Sequence, residues 1–466
     1  MNIHILGICG AALSGIAVML AKQGHTVTGS DQGAYPPATD YLDQHHISYF
    51  DHYDADHITD QIDRIIVGGN TNHLGTPNPE LIEAQNQHIP TQSWAQFIGD
   101  LFQNSNRLVI AGTYGKTTIT VLCSHIALTA GLNPSYLTTE KLQGNHPQIA
   151  YNPDSDWDIL EGDEHPAVIN FDDQPKFVYY QPTQVILTSI IWDHFNIYPT
   201  QADYIATYQK LLQAPSLQTL IVHDNIDLNQ IANTAAKIIR YTTQNTLNDG
   251  SMPMIQLLSH QITDTGSIFQ VSDTEQTIQL TIPLIGLHNI ENALAAITWA
   301  RYNQISWDDI TTALETFSGI ARRLQLKYNA KNLKIFHDFG QHPAKAAAAI
   351  NSLNNAYPDH QLIIVLDPHA SVLKDAHSLP FFKQSFNHAS QVLIGKLQAS
   401  KGSITGKQIA DALNAFHIPA RYLPKDDKLI QQISLLTNTH PSVILFLSSG
   451  NFRGLIDEFV NQVSRS

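Results

Sequence analysis

Residues 107–118 read Arg107-Leu-Val-Ile-Ala-Gly-Thr-Tyr-Gly-Lys-Thr-Thr118. A run suited to a buried strand (107–111) leads straight into GTYGKTT, Gly112 to Thr118, and 117–130 then reads as a helix. Strand, tight loop and helix in that order are the setting a phosphate-binding loop requires. Gly112 and Gly115 let backbone N–H groups turn toward phosphate oxygens, and the helix N-terminus adds partial positive charge. In this reading Lys116 reaches the β- and γ-phosphates and the Thr117 hydroxyl ligates Mg²⁺, with Thr113 and Thr118 completing the loop. The loop is G-x-x-G-K-T, shorter than the usual G-x₄-G-K-[ST]. A plain strand–helix turn with a solvated Lys is the competing reading.

On either side of this loop, apolar strands alternate with helices, which means parallel α/β sheets. Upstream, 2–6 is a strand, 11–23 a helix and 26–29 a strand ending at Ser30 and Asp31; 63–68 is a strand and 80–88 a helix. Strand, Gly-rich turn, helix and strand ending in an acid outline a nucleotide-binding crossover. The glycines Gly7, Gly10 and Gly15 do not follow G-x-G-x-x-G, so a dehydrogenase reading starts poorly. An N-terminal nucleotide site plus a separate phosphate loop suggests two nucleotide-bearing ligands.

Downstream, 157–161, 184–190, 219–223 and 237–241 are buried strands, and 255–284 alternates as antiparallel strands do. Residues 289–302 form a helix; 333–337, 361–366, 391–394 and 442–447 are strands with helices between them, 343–355 among these, and one at the C-terminus. Boundaries fall near 100 and 320.

Further candidates sit at strand ends. LEGDE, Leu160 to Glu164, follows a strand, and Glu161 is the preferred second Mg²⁺ contact; the bland reading is a solvated acidic loop. WDH, Trp192 to His194, follows QVILTSI and brings His194 toward a metal or phosphate, although one His among 23 means little alone. Asn289 and Asn292 in GLHNIENA share a helix face, or simply cap it. Arg322 and Arg323 are adjacent in a chain with nine Arg, where a guanidinium would close over a nucleotide phosphate or merely be solvated. HDFGQHP, His337 to Pro343, offers Asp338 and His342.

Composition narrows the classes. The chain has 466 residues, suggesting two to four domains, and its 43% hydrophobic content supports folded cores. Net charge is −15 with no basic run, against a nucleic-acid or membrane-surface binder, though protonating all 23 His would carry it to +8. Two cysteines, Cys9 and Cys123, cannot make a disulfide framework and fit a reducing compartment. Ile5 to Ala21 lacks charge, but no Lys or Arg precedes it and glycines punctuate it, unlike a signal peptide. The expectation is a soluble, cytoplasmic chain.

These motifs, in this order and over the whole chain, resemble the Mur ligase family, ATP-dependent amide ligases of peptidoglycan synthesis. The family's GT(H/N)GKTT is similar to Gly112–Thr118, its E-A-D-E to Glu161–Glu164, and its D-H pair to Asp193-His194. Its HN-x-x-N-A is similar to His288–Ala293, its RR to Arg322-Arg323, and its DD-Y/F-A-H-H-P to His337–Pro343. The resemblance implies a three-domain α/β protein. Residues 1–100 would be Rossmann-like and bind a UDP-sugar through Gly7, Cys9, Gly10, Ser30, Asp31 and Asn70. Residues 101–320 would be P-loop ATPase-like with a mostly parallel sheet, and 321–466 Rossmann-like, receiving the amine substrate. ATP would contact the phosphate loop, Asn289, Asn292, Arg323, Asp338 and His342; Lys116, Glu161 and His194 would be catalytic, with Thr117, Glu161 and His194 on Mg²⁺. The implied partners are UDP-N-acetylmuramate, ATP and a cell-wall peptide, with no nucleic acid or membrane and a monomer or homodimer.

One family branch adds L-alanine to UDP-N-acetylmuramate; a recycling branch adds L-Ala-γ-D-Glu-meso-diaminopimelate. Cys9, GSDQGAYPP (Gly29 to Pro37), the loop from Gly68 to Leu81, and Lys176-Phe177 with Tyr179–Pro182 are similar to the recycling branch. The chemistry implied is an acyl phosphate made from the muramate carboxylate and ATP, then attacked by the peptide amine. Tyr114, His337 and Gln341 depart from the family pattern, and Pro368-His369-Ala370 lacks an Arg that Lys374 would replace. These departures keep a third reading open, a catalytically silent relative. Lys210 is the nearest candidate for the carbamylated Lys of some members, a device that the branches acting directly on UDP-N-acetylmuramate generally lack, so the resemblance does not assign it that role.

Overall fold

The computed structural model describes residues 1–34, 36, 38–69, 71, 77–138, 147–194, 197–231, 234–273, 275–340, 343–368, 373, 379–397 and 404–465. Asn70, His342, Tyr35, Pro37, Gln341, His369, Ala370, Lys374 and most of the loop after Gly69 therefore lie outside the described residues. The chain forms two compact units. One comprises 1–192, 196–255 and 294–313; the other comprises 193–195, 256–293 and 314–466.

In the first unit, β1 (Asn2–Leu6), β2 (Thr26–Ser30), β3 (Ser48–Phe50), β4 (Arg64–Val67) and β5 (Thr91–Ser93) make a parallel sheet in the order β3-β2-β1-β4-β5. Ile3, Ile5 and Leu6 of β1 are buried, as a central strand covered on both faces requires. β3 and β5 have three residues each, too short for periodicity to reveal.

The same unit holds a second sheet. Its strands are β6 (Asn106–Ala111), β7 (Ser135–Leu137), β8 (Ile149–Ala150) and β9 (Trp157–Glu161). After a small hairpin of β10 (Pro166–Val168) and β11 (Asp172–Pro175) come β12 (Gln184–Leu187), β13 (Thr219–His223) and β14 (Lys237–Tyr241). The order is β14-β13-β12-β6-β9-β7-β8, parallel except for β8. The strand expected over 184–190 stops at Leu187 because Thr188 and Ser189 turn to bind the phosphate loop. Tyr302 reaches Thr219 (3.0 Å), and Trp299 meets Trp157 edge-on at 5.3 Å, so the end of the helix Leu287–Tyr302 covers this sheet.

In the second unit, β15 (Gln256–Ile262), β16 (Ser267–Ser272) and β17 (Thr277–Ile282) form the expected antiparallel meander. β18 (Gln325–Ala330), β19 (Leu333–Asp338), β20 (Gln361–Leu366), β21 (Gln391–Ile394), β22 (Ala420–Tyr422) and β23 (Ser442–Leu447) form the largest sheet of this unit. Its order is β18-β19-β23-β20-β21-β22, with only β18 antiparallel. β18 carries no buried residue, which is why its sequence does not read as a strand. Helices Pro343–Ala356, Leu379–Ser385 and Gly406–Ala415 cover one face with a core that includes Ile350, Phe382 and Ile409. Helices Asp426–Thr437 and Leu455–Ser464 cover the other with Leu429, Ile433 and Phe459. The fold is thus α/β with mostly parallel sheets.

Candidate active site

The phosphate loop leaves the end of β6 and closes on the helix Lys116–Thr129. Gly112 has φ 131° and Gly115 φ 76°, both in the region where a side chain is strained. A Cβ on Gly112 would also run into the Thr188 hydroxyl and the Ser189 backbone. The loop is pinned from outside. Thr113 N donates to Ser189 O (3.1 Å), Tyr114 N to Ser189 Oγ (3.1 Å), and Thr188 Oγ1 to Tyr114 O (2.5 Å). Thr113 Oγ1 donates to Ile191 O (2.8 Å). The backbone of position 114 is thus fixed whatever side chain it carries, which explains how Tyr fits there. The first-turn N–H groups of the helix supply the anion-binding end.

Lys116 Nζ donates to Gly112 O and to Glu164 Oε2, each at 2.7 Å. Burial opposes its charge, but Glu164, Asp163 and Glu161 outweigh that, and its pKa is raised. Glu164 is itself buried and held on its other oxygen by Tyr204 (3.1 Å), which also reaches Tyr208 (3.1 Å). Thr117 Oγ1 donates to Glu161 Oε1 at 2.7 Å, and both residues are buried. Asp163 pairs with Lys176 Nζ (2.5 Å), whose ammonium lies 5.5 Å from the Trp94 ring centre. Burial alone would raise the Asp163 pKa, yet Lys176 and Lys116 bring it below the ordinary value. Three carboxylates in four residues therefore each have a defined partner. Glu164 stands in the LEGDE motif, but nothing in that motif signals its bond to Lys116. Tyr204 gave no sequence signal at all.

The other candidates are placed as follows. His194, in the second unit, has φ 55°, and its N–H donates to the Asp193 carboxylate (2.8 Å), which in turn lies 3.6 Å from Lys345 Nζ. Asn289 Nδ2 donates to Ile285 O (3.0 Å), and Asn292 Nδ2 to Asn289 Oδ1 (3.3 Å). The Asp338 oxygens accept Leu324 N (2.8 Å) and Gly340 N (2.7 Å), so this carboxylate shapes the turn that carries Arg322 and Arg323. Both guanidinium groups lie over the Phe339 ring, at 5.5 and 5.0 Å. Lys210 is exposed and donates to Gln174 (3.2 Å).

In the N-terminal sheet, Gly7, Cys9, Gly10, Ser30 and Asp31 do come together. Gly7 N donates to Ser30 O (2.7 Å), Cys9 N to Asp31 Oδ2 (2.9 Å) and Gly10 N to Gly7 O (2.9 Å). Burial, with Asp31 and Asp43 nearby, pushes the Cys9 thiol up to about 11, so it stays protonated. Ser30 Oγ donates to the buried Glu80, which also contacts His57 Nδ1 (2.7 Å) and His4 Nε2 (3.3 Å). Burial works against the Glu80 charge, but His4, Ser30 and His57 hold the pKa below the usual value. A hollow of about 880 Å³ opens along β3, lined by Thr39, Asp43, His46, Tyr49, Phe50 and Asp51 among others.

The family model described as Mur ligase family, catalytic domain, matches residues 2–106, and that described as Mur ligase middle domain matches 110–300, together more than half of the chain. The chain belongs to the Mur ligase family. With that membership it is an enzyme of the ATP-dependent ligases of peptidoglycan metabolism. It is 28% identical to the UDP-N-acetylmuramate–L-alanyl-γ-D-glutamyl-meso-2,6-diaminoheptandioate ligase of Escherichia coli K12, covering 100% of this chain and 99% of that one. It is also 28% identical to the UDP-N-acetylmuramate–L-alanine ligase of Brachyspira hyodysenteriae, covering 99% and 98%. The solved UDP-N-acetylmuramate–alanine ligase of Thermotoga maritima superposes with a TM-score of 0.78 at 19% identity, over 100% of this chain and 99% of that one, a likeness of fold. Among the described residues no helix is long and apolar enough to cross a membrane.

Proposed function

We propose that this Mur ligase joins UDP-N-acetylmuramate to the tripeptide L-Ala-γ-D-Glu-meso-diaminopimelate at the expense of ATP, in peptidoglycan recycling. The observation that carries the chemistry is the buried constellation Lys116–Glu164 and Thr117–Glu161 at the mouth of a phosphate loop. The tripeptide is favoured by the end-to-end match to the Escherichia coli ligase, together with Cys9, GSDQGAYPP and the Lys176–Pro182 stretch. The full-length match to the Brachyspira enzyme supports the L-alanine ligase as second reading.

The residues present fit Mg²⁺. Thr117 Oγ1 and Glu161 Oε1 are hard oxygen donors already side by side, and this ion typically takes one or two protein oxygens plus phosphate and water. It would spread the charge of the phosphates during transfer. His194 is the further proposed contact. The muramate carboxylate attacks the γ-phosphorus, the bond to the β-phosphate oxygen breaks, and ADP and an acyl phosphate result. The peptide amine then attacks the acyl carbon, inorganic phosphate leaves with the bonding pair, and the amine gives up its proton. Loop N–H groups hold the phosphates, and Lys116 balances the charge that develops on the transferred group. Asn289, Asn292, Arg323, Asp338 and His342 are the proposed remaining nucleotide contacts. Gly7, Cys9, Gly10, Ser30, Asp31 and Asn70 are the proposed UDP-sugar contacts. Domains at 1–100, 101–320 and 321–466 would take UDP-sugar, ATP and amine in turn, in a cytoplasmic monomer or homodimer.

Lys116→Met tests the assignment. Turnover should vanish while UDP-N-acetylmuramate binding, read by calorimetry, persists. Retained ligase activity would remove Lys116 from the mechanism.

A further inference from the structure

The carboxyl end of the six-stranded sheet holds a feature that no sequence motif flagged. Phe452, Arg453 and Gly454 follow one another with φ 52°, 57° and 84°. Consecutive non-glycine residues in the left-handed region persist only where their surroundings over-determine them, and such sites are often functional. Here the surroundings are electrostatic. Arg453 Nη1 donates to Asp367 Oδ1 (3.2 Å), while Nε and Nη2 grip the two oxygens of Asp426 (3.1 and 2.7 Å).

The location is a topological one. β20 and β23 are neighbours in the sheet. Among the described residues the next α-helix after β20, Leu379–Ser385, packs on one face of the sheet, and the α-helix after β23, Leu455–Ser464, packs on the other. Adjacent strands whose following connections diverge define the crevice where open α/β sheets bind ligands. Asp367 follows β20 and Arg453 follows β23, so the pair spans that crevice.

The two acids are not equivalent. Asp367 is 2% exposed and receives the Ser448 hydroxyl (2.8 Å), so it anchors the guanidinium. Asp426 is 41% exposed and lies in the first turn of the helix Asp426–Thr437. A carboxylate there has solvent and the helix N-terminus to fall back on. It occupies the two-pronged face of Arg453, the geometry in which Arg recognises any carboxylate.

We propose that Arg453 is the carboxylate-recognition residue for the amine substrate, and that Asp426 is an internal stand-in that the substrate's carboxylate displaces. This rests on the reading that the second unit receives the amine. It deepens that reading by naming the residue and the substrate group.

The test uses the full-length enzyme with ATP, UDP-N-acetylmuramate and the tripeptide or L-alanine. Arg453→Gly removes the side chain at a φ that glycine adopts freely, so the backbone has no reason to rearrange. The amine KM should rise roughly 10- to 100-fold, with kcat and the KM for ATP nearly unchanged. Arg453→Lys, which keeps charge but loses the fork, should fall between. Asp426→Asn should lower the amine KM, an effect that a merely structural ion pair would not produce. An unchanged amine KM in Arg453→Gly, or a raised one in Asp426→Asn, overturns the proposal. Should the wild type turn over neither amine, the ligase reading has failed. Calorimetry with the tripeptide then decides separately: weaker binding to Arg453→Gly than to wild type supports the proposal, and equal or absent binding in both overturns it.

Discussion

Replacing Glu164 by Gln puts the energetics of the phosphate loop to a quantitative test. The Lys116 ammonium and the Glu164 carboxylate are 2.7 Å apart, with side chains 15% and 1% exposed. At an effective dielectric of about 20, unit charges at that separation attract by roughly 6 kcal/mol. Two things reduce the net effect. Both ions lost hydration on folding, and Lys116 keeps Gly112 O and the fields of Asp163 and Glu161 when Glu164 is neutralised. We therefore expect Glu164→Gln to cost about 3 kcal/mol, and Lys116→Met a similar amount because the buried Glu164 then loses the ammonium that balances its charge. The double variant leaves neither charge stranded, so the pair should couple by about 2–3 kcal/mol. Equilibrium urea unfolding of the four proteins measures this. Additivity within about 0.5 kcal/mol would refute the claim that Glu164 is the principal partner of Lys116.

Other perturbations follow from the same geometry. Glu161→Gln should raise the Mg²⁺ concentration needed for half-maximal turnover by at least roughly 10-fold; an unchanged Mg²⁺ profile would take Glu161 out of the metal site. Gly112→Ala should destabilise the chain by about 2 kcal/mol or more and abolish nucleotide binding, as urea unfolding and ADP calorimetry would register. Burial raises the Asp158 carboxyl to about 6, against the bonds from Asn104 that favour its ionised form. A folded-state pKa above the unfolded one gives stability that is full below about pH 4 and is lost as pH rises through about 6, worth roughly 3 kcal/mol. The stability of wild type minus Asp158→Asn should therefore grow as pH falls from 7 to 4, and a flat difference would mean that Asp158 titrates normally. His288 and His337 act in the opposite sense. Burial lowers both, so their contribution is present above the unfolded pKa and lost on acidification. His337→Asn should flatten the acid limb of the unfolding curve between roughly pH 7 and 5.

What the sequence reveals is what is local. GTYGKTT is legible because strand, loop and helix are contiguous and because two glycines and a Lys have few other reasons to occur at that spacing. Glu161 is legible because it ends an apolar strand. The partners are another matter. Tyr204 reaches Glu164 across 40 residues and Glu80 reaches His4 across 76, and no periodicity encodes such meetings. Thr188 and Ser189 read as a continuation of β12, since nothing local announces that their hydroxyls turn to the phosphate loop. Strands of two or three residues, such as β3, β7 and β22, cannot display alternation, and β18 is unburied throughout. Arg453 looks like an ordinary surface residue until its φ and its two Asp partners are seen.

The most direct measurement of the reaction is inorganic phosphate release with ATP, Mg²⁺ and UDP-N-acetylmuramate, comparing the tripeptide with L-alanine and weighing the product by mass spectrometry. Phosphate release should depend on the tripeptide, the product should be heavier than UDP-N-acetylmuramate by the tripeptide less one water, and L-alanine should turn over far more slowly. Preference for L-alanine would contradict the substrate assignment, and no phosphate with either amine would contradict the ligase itself.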